Sequence, residues 1–180
     1  MSLGTQPMSA ERLLAANLPR CELIGGGIVV MSPAGFDHGR SASKIVGALE
    51  NHVAPRRLGV VTTAEAGFQI AHNPDTVRVP DVAFVRADRI PPGGVKGFFQ
   101  GAPDLAVEVV SPTDRAGEVA AKVQIWLDAG SPMVWVVDPE KRTLAVHRSG
   151  NDVTVLSASD TLQGGDVLPE FSISVGLIFA

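Results

Sequence analysis

Cysteine, net positive charge and long apolar runs are all scarce in this sequence, and each shortage argues against a class of structure or function. The single cysteine, Cys21, cannot form an internal disulfide, which favours a reducing cytoplasm. With 15 Lys and Arg against 19 Asp and Glu, the net charge of −4 excludes nucleic-acid binding by an overall basic coat, although a local basic groove remains open. No apolar run approaches the roughly 18 residues of a membrane span. No cationic stretch leads into an apolar signal core, so we expect neither a membrane partner nor a secretory signal.

The sequence does contain enough apolar material for one folded domain. Its 180 residues are 45% hydrophobic, which favours a compact globular protein over disorder. We therefore predict a single domain over residues 9–180. Residues 1–8, in which Met1 precedes a second start-like Met8, are expected to be a disordered N-terminus or a cloning scar.

The order of helical and strand-like patterns predicts an α/β fold. Capping residues and helical spacing of apolar side chains predict helices at 10–17, 38–53 and 114–129. Short apolar or alternating runs predict strands at 21–24, 28–31, 59–63, 67–71, 79–85, 105–110, 133–137, 143–147 and 152–156. Asp37 and Asp114 are expected to cap the second and third helices, and Pro55 to end the second. Because the third helix lies between two buried strand patterns, we expect a βαβ crossover and a parallel pair inside a mixed sheet.

A glutamate in the most apolar strand pattern is the first candidate for chemistry. Glu108 lies in LAVEVV, residues 105–110, a run typical of a strand buried on both faces. An ionised carboxylate there costs several kcal/mol unless a cation or hydrogen-bond donors meet it. Asp81, in the preceding strand pattern, is a second acid beside apolar neighbours, and Lys122 on the following helix is a third candidate. Two acids and a lysine on adjacent elements can hold a divalent metal and activate a water.

The same three residues also fit a buried ion-pair network that joins strand to helix, because perturbed acids mark both kinds of site. Lys122 is moreover spaced to pair with Glu118, four residues earlier on one helix face. Trp126 and Trp135 have apolar surroundings and are expected in the core rather than as platforms for base stacking.

Several motifs occur in an order that resembles a known family. They are CELI at 21–24 before a glycine turn, MSP at 31–33, His38 at a helix start, PDVAFV at 80–85, PDLAVEVVSP at 103–112, Lys122, Gly130 and WVVDP at 135–139. Together they resemble the Uma-two family of bacterial restriction-endonuclease-like proteins, in the PD-(D/E)XK nuclease superfamily, over about residues 9–179. The resemblance implies a restriction-endonuclease-like core, in which helices flank a mixed central β-sheet. It also implies metal-dependent phosphodiester cleavage.

The resemblance also implies roles for individual residues. The two motif acids correspond to Asp81 and Glu108, which are then catalytic and hold Mg²⁺ or Mn²⁺. The motif lysine usually stands two residues after the second acid, where this chain has Val110. Lys122 corresponds to a lysine that the family carries on the next helix, and it is the expected substitute.

Three further residues are secondary candidates for the site or its substrate. Glu22 matches a glutamate that an early element often supplies in such nucleases. His38 is expected either to contact a phosphate or, in the alternative interpretation, to cap or pack a helix. Asp104 lies on the same strand face as Glu108, but at the start of the strand, where an acid is more often a loop partner.

The sequence thus predicts a metal-dependent endonuclease that hydrolyses nucleic-acid phosphodiester bonds, with Lys122 assisting the water. The alternative is a nuclease-fold protein that no longer cleaves and works as a binding or assembly module, which Val110 and the pI near 5.5 favour. Nucleic acid is the expected partner, DNA ahead of RNA, and a homodimer is an expected assembly.

Overall fold

The computed structural model describes residues 7–16 and 18–180, and within these the predicted α/β fold is present. Residues 1–6 of the expected N-terminal tail and Asn17 at the predicted end of the first helix lie outside the described residues. The helices are α1 (Ala10–Ala15), α2 (Phe36–Arg56) and α3 (Ala116–Asp128). The strands are β1 (Cys21–Ile24), β2 (Gly27–Val30), β3 (Gly59–Thr63), β4 (Phe68–Ala71), β5 (Thr76–Arg78), β6 (Val82–Arg86), β7 (Phe99–Gln100), β8 (Leu105–Val109), β9 (Met133–Asp138), β10 (Thr143–Arg148), β11 (Asp152–Ser157), β12 (Thr161–Gln163) and β13 (Ser172–Ser174).

The central sheet has six strands in the order β11-β10-β9-β8-β6-β3. β8 and β9 run parallel, while the other neighbours in this sheet are antiparallel. The chain passes from β8 to β9 through α3, so the predicted mixed sheet with a parallel crossover pair is confirmed. β8 lies inside the sheet, where all five of its residues are buried.

The two long helices cover opposite faces of this sheet. On one face α2 packs Ile45, Leu49 and Val53 against the β8 residues that alternate with Glu108. On the other face α3 packs Val123 and Trp126 against Ala106 and Val134. Since successive strand residues point to opposite faces, Glu108 shares the α3 face with Ala106. The alternation of β8 therefore directs the buried glutamate toward α3.

A second sheet holds most of the early strands, and the chain passes from it back into the central sheet at Asp81. This sheet has the order β2-β1-β5-β4-β7, and α1 packs on it. The predicted continuous strand at 79–85 is wrong in its first part, because β5 ends before Val79 and β6 begins after Asp81. Pro80 has no N–H for a strand ladder, and the Val79 N–H donates to the Glu22 carboxylate at 3.0 Å. Asp81 thus lies at the junction between the two sheets.

The predicted helix caps are also corrected. Gly35, not Asp37, is the N-cap of α2, and Arg115, not Asp114, is the N-cap of α3. The Asp114 carboxylate instead accepts the Ser111 N–H at 2.9 Å, within the turn before the helix. Local turn bonds compete with capping for short acidic side chains, which is why the acid nearest the helix does not cap it.

Pro55 does not end α2, contrary to expectation. The helix continues through it to Arg56, and it ends where Arg57 adopts a left-handed φ of 52°. Proline in the last turn removes one hydrogen bond without breaking the turns before it.

The C-terminal stretch, which has no clear periodicity, closes the α2 side of the core. Its buried members are Leu168, Phe171, Val175, Ile178 and Phe179. No helix within the described ranges is long and apolar enough to cross a membrane.

Leu105 tests how much the central strand contributes to stability. Its side chain is fully buried in the α2-side core, so Leu105→Ala should lower the free energy of unfolding by about 2–5 kcal/mol. Leu177→Ala is the matched control, because Leu177 is 57% exposed and the change should stay within about 0.5 kcal/mol. Urea unfolding followed by tryptophan fluorescence measures both. Equal losses would contradict the assignment of β8 to the core.

Candidate active site

Asp81 and Glu108 lie opposite each other on neighbouring strands. β6 and β8 pair Val82 with Val107, and the Asp81 N–H extends this ladder by donating to the Val107 carbonyl at 3.0 Å. The Val109 N–H then donates to Asp81 Oδ2 at 2.8 Å. The Asp81 carboxylate is therefore held against the backbone next to Glu108, and the structure brings the two predicted acids together.

Glu108 is buried but fully partnered. Its side chain accepts a hydrogen bond from Trp126 Nε1 at 2.8 Å and another from Lys122 Nζ at 3.2 Å. Lys122 and Trp126 are four residues apart on α3, so both reach the same carboxylate from one helix face. Burial raises the pKa of Glu108 and the Asp81 charge adds to this, while Lys122 and Trp126 offset only part of the rise.

Lys122 pairs with Glu108 rather than with Glu118. The Glu118 side chain instead accepts the Arg115 N–H at 3.2 Å, completing the N-terminal turn of α3. Burial alone would lower the pKa of Lys122, but Glu108, with Asp81 and Glu22 further away, raises it above its ordinary value. Lys122 is therefore protonated at neutral pH. With its side chain 30% exposed, its ammonium also remains open to solvent.

The Asp81 carboxylate lies beside His38 and Arg20 as well as the Val109 N–H. His38 Nε2 lies 3.1 Å from Asp81 Oδ2, and Arg20 Nη2 lies 3.6 Å from Oδ1. Burial would raise the pKa of Asp81, but the His38 hydrogen bond and charge, the Val109 N–H and the Lys122 charge together lower it. His38 thus contacts a carboxylate, which neither interpretation of it had anticipated. Arg20 carried no signal at all in the sequence.

Glu22 lies at the border of the same site, where it forms a buried ion pair with Arg78. Its carboxylate lies 3.0 Å from Arg78 Nη1 and also accepts the Val79 N–H. Both side chains of the pair are about 6% exposed. Glu22 is near enough to raise the pKa of Lys122, but its own contacts tie β1 to β5. The arginine partner was missed from sequence, because an arginine in a three-residue strand looks like an ordinary exposed position.

Asp104 lies apart from the other candidates. Its carboxylate accepts the Arg86 N–H and an Arg89 Nη1–H, both at 2.9 Å, beside the last residue of β6. Asp81 lies before the first residue of β6. Asp104 therefore lies at one end of the β6–β8 pair, and Asp81 and Glu108 lie at the other. The structure therefore does not bring Asp104 to the site, and it makes Asp104 the loop partner that its position at the start of β8 suggested.

Asp81, Glu108 and Lys122 are named here the acid–lysine cluster. In the part of the chain that the structure describes, no three or more His, Cys, Asp and Glu side chains gather closely enough to hold a metal ion. The cluster thus offers a metal two carboxylates. Mg²⁺ is commonly bound by one or two carboxylates, with waters and substrate phosphates completing its octahedron, so the donor set fits such an ion.

Comparison with known proteins supplies the family. A family model, Uma2, described as "Putative restriction endonuclease", matches residues 9–176. The chain belongs to the Uma-two family. This confirms the resemblance seen in the motifs, since the match covers both acids and Lys122.

The Uma-two chain is also similar to a solved structure over nearly its whole length. A crystal structure from Anabaena variabilis, described as a putative nuclease belonging to DUF820, superposes with a TM-score of 0.81 at 24% sequence identity. The match covers 96% of this chain and 98% of that one. No curated protein sequence matches the chain. The likeness confirms the predicted nuclease-like α/β fold.

Asp81→Asn should destabilise the protein in a pH-dependent way. Because the native pKa of Asp81 is lowered, the charged form contributes stability above the unfolded-state pKa of about 3.9. That stability is lost as the pH falls through the native pKa. The variant should therefore be about 1.5–3 kcal/mol less stable at pH 7, and the difference should shrink steadily in acid below about pH 4.

Urea unfolding at several pH values measures this difference. Asp88→Asn is the control, because Asp88 forms only an exposed pair with Arg86 and should change stability by less than about 1 kcal/mol. A loss from Asp81→Asn that is equally large in acid would show that the side chain acts through packing rather than charge.

Proposed function

We propose that this Uma-two protein is a metal-dependent endonuclease that hydrolyses nucleic-acid phosphodiester bonds at the acid–lysine cluster. The observation that carries the proposal is the contact of Lys122 with Glu108 beside Asp81. Three residues that are well separated in the chain meet at one end of the central sheet. Membership in a family described as restriction endonucleases supports this chemistry over a purely structural ion pair.

Each residue of the cluster has a role set by its charge. Asp81 and Glu108 would hold Mg²⁺ or Mn²⁺, since hard cations prefer carboxylate oxygens. Such an ion supplies polarisation of a phosphoryl oxygen and a lowered pKa for its bound water. Lys122 is a cation rather than a proton acceptor, because its pKa is raised. It can therefore orient a water or stabilise charge that develops on a phosphate.

Neighbouring residues orient the two carboxylates. His38 and the Val109 N–H hold Asp81, while the Trp126 indole holds Glu108. These contacts keep the acids in place before substrate arrives, which is the preorganisation that catalysis by fixed charges needs.

The proposal also includes the substrate, the assembly and the cellular compartment. DNA is the proposed substrate ahead of RNA, in keeping with the description of the family, and a homodimer is the proposed assembly. Residues 9–180 are proposed to work as one domain. The lone cysteine, Cys21, is compatible with action in a reducing cytoplasm.

A non-cleaving binding or assembly module is the second candidate. Two observations favour it: the carboxylates already have protein partners in Lys122, His38 and Arg20, and Val110 occupies the usual lysine position. A charge-balanced cluster can be retained for structure alone. Metal binding separates the two candidates.

Glu108→Ala should abolish stabilisation by metal. Mg²⁺ or Mn²⁺ should raise the melting temperature of the wild type, by the equivalent of about 2.7 kcal/mol at a metal concentration of 100 Kd. The variant lacks one of the two carboxylates and should show no shift, whereas Glu118→Ala, which removes an acid of the α3 cap, should keep it. Differential scanning fluorimetry with EDTA controls measures this. A wild type that binds nucleic acid but shows neither a metal shift nor cleavage would favour the binding module.

Lys122→Ala should lower the rate of metal-dependent cleavage by about 10²–10⁴-fold, the usual contribution of one positioned charge or proton-transfer group. The change also leaves Glu108 buried without its cation, so the pKa of Glu108 should rise further and the melting temperature should fall. Metal binding should remain measurable, because the Asp81 and Glu108 carboxyl groups are both still present. Cleavage is assayed with fluorophore-labelled DNA under single-turnover conditions.

Glu118→Ala is again the control, because Glu118 serves only the helix N-terminus and cleavage should stay near the wild-type rate. Cleavage by Lys122→Ala at the wild-type rate would remove Lys122 from the mechanism and leave it as the ion-pair partner of Glu108.

A further inference from the structure

A cleft beside Asp81 has no role in the mechanism proposed above. Its volume is about 320 Å³, and it opens next to Arg20, His38 and Asp81. Cavities that bind small ligands usually measure about 300–1,000 Å³, so this one suits a single small ring system. It adjoins the carboxylate that would act on a phosphodiester, so its occupant would be the part of the substrate next to the scissile bond.

One wall of the cleft is a face of α2 with small side chains. Gly39, Ala42, Ser43 and Val46 line it, at the spacing that places residues on one helix face. Thr63, at the end of β3, also lines the cleft. Apolar walls with a few hydroxyl groups suit a flat ring with hydrogen-bonding edges, which is the chemistry of a nucleobase.

Arg20 lines this cleft and has N–H groups that its neighbours do not use. Its Nη2 is 3.6 Å from Asp81 Oδ1, which is too long for a hydrogen bond. Its Nε is buried and has no hydrogen-bond partner among residues 7–16 and 18–180. A guanidinium with free N–H groups matches the oxygens of a phosphate.

We propose that the cleft binds one unpaired nucleotide adjacent to the scissile phosphate, with its base between α2 and Thr63 and its phosphate on Arg20. This inference rests on the proposed function and names its substrate class as single-stranded or locally unpaired nucleic acid. A base inside a duplex is stacked and paired, so it cannot enter such a cleft without leaving the helix.

The charge of the protein agrees with this mode of binding. Arg20 is the one Lys or Arg among the described residues that line the cleft, and the chain carries a net charge of −4. Affinity would then come mainly from the base, with few phosphate contacts. A plot of the logarithm of the binding constant against the logarithm of the salt concentration should therefore have a slope near −1. Each phosphate contact on a single strand contributes about −0.7 to this slope.

Two glycines on α2 provide a matched pair of variants. A Cβ atom added at Gly39 or at Gly47 would meet no atom within 4 Å, so a side chain can start from both positions, and leucine improves the helix propensity of each. Gly39 lines the cleft and Gly47 does not. Gly39→Leu should therefore fill the cleft, while Gly47→Leu makes the same change outside it.

Fluorescence anisotropy with a short labelled single strand measures the binding, with Ca²⁺ in place of Mg²⁺ to prevent cleavage. Gly39→Leu should weaken binding roughly tenfold or more, the scale of one lost base-stacking contact, and Gly47→Leu should bind like the wild type. Arg20→Gln should weaken binding and reduce the salt slope by about 0.7, whereas the distant Arg148→Gln should do neither. A duplex of the same sequence should bind more weakly than the single strand.

Equal binding by the two leucine variants, or tighter binding of the duplex, would overturn the cleft assignment. Cleavage in Mg²⁺ separates this failure from that of the proposed function. If Gly39→Leu cuts the single strand at the wild-type rate, the function stands and the cleft assignment falls. If the wild type neither binds nor cuts any nucleic acid, both fall.

Discussion

The burial of the Glu108 carboxylate is the constraint on which the site depends. The residue lies in a strand that is covered by helices on both faces, where an unpartnered charge would cost several kcal/mol. The fold meets this cost with two donors from one helix, Trp126 and Lys122. Trp126 serves twice, since its ring fills the core between helix and sheet while its N–H binds the acid. The position of α3 on the sheet and the position of the carboxylate are thus set by the same contacts.

The surroundings of the two acids shift their pKa values in opposite directions. The pKa of Asp81 is lowered by His38, backbone and lysine despite its burial, whereas the pKa of Glu108 is raised because its desolvation is stronger than its compensation. Environments that separate the pKa values of neighbouring acids are typical of sites that perform chemistry, although structural networks also show them. In this protein the cations balance the acids before any metal arrives. A metal would therefore have to compete with Lys122 for Glu108 and with His38 for Asp81.

The break between the two sheets explains why Asp81 can be both buried and accessible. Because Pro80 interrupts the strand, Asp81 precedes β6 instead of lying within it. Its backbone still joins the ladder of β8, but its carboxylate reaches α2 at His38 and the edge of the second sheet at Arg20, just before β1. A residue in the middle of the strand would have met only one helix. The junction gives the acid a cleft on one side and the buried glutamate on the other.

The sequence by itself determined the three helices, the strands of the central sheet with their parallel pair, and the burial of Glu108, because these follow from apolar periodicity over neighbouring residues. It also placed Lys122 on the helix that follows the strand of Glu108. It did not show the short strands β5, β7, β12 and β13. Their apolar neighbours singled out Glu108 and Asp81, and the resemblance to the family then favoured a metal site over a structural ion pair. Tertiary structure alone decided that Lys122 pairs with Glu108 instead of Glu118, since both partners satisfy the local spacing rules and only the packing of α3 on the sheet separates them. It alone brought Arg20 and His38 to Asp81 and Arg78 to Glu22, because an ion pair between residues far apart in the chain leaves no periodic trace in the sequence of either partner.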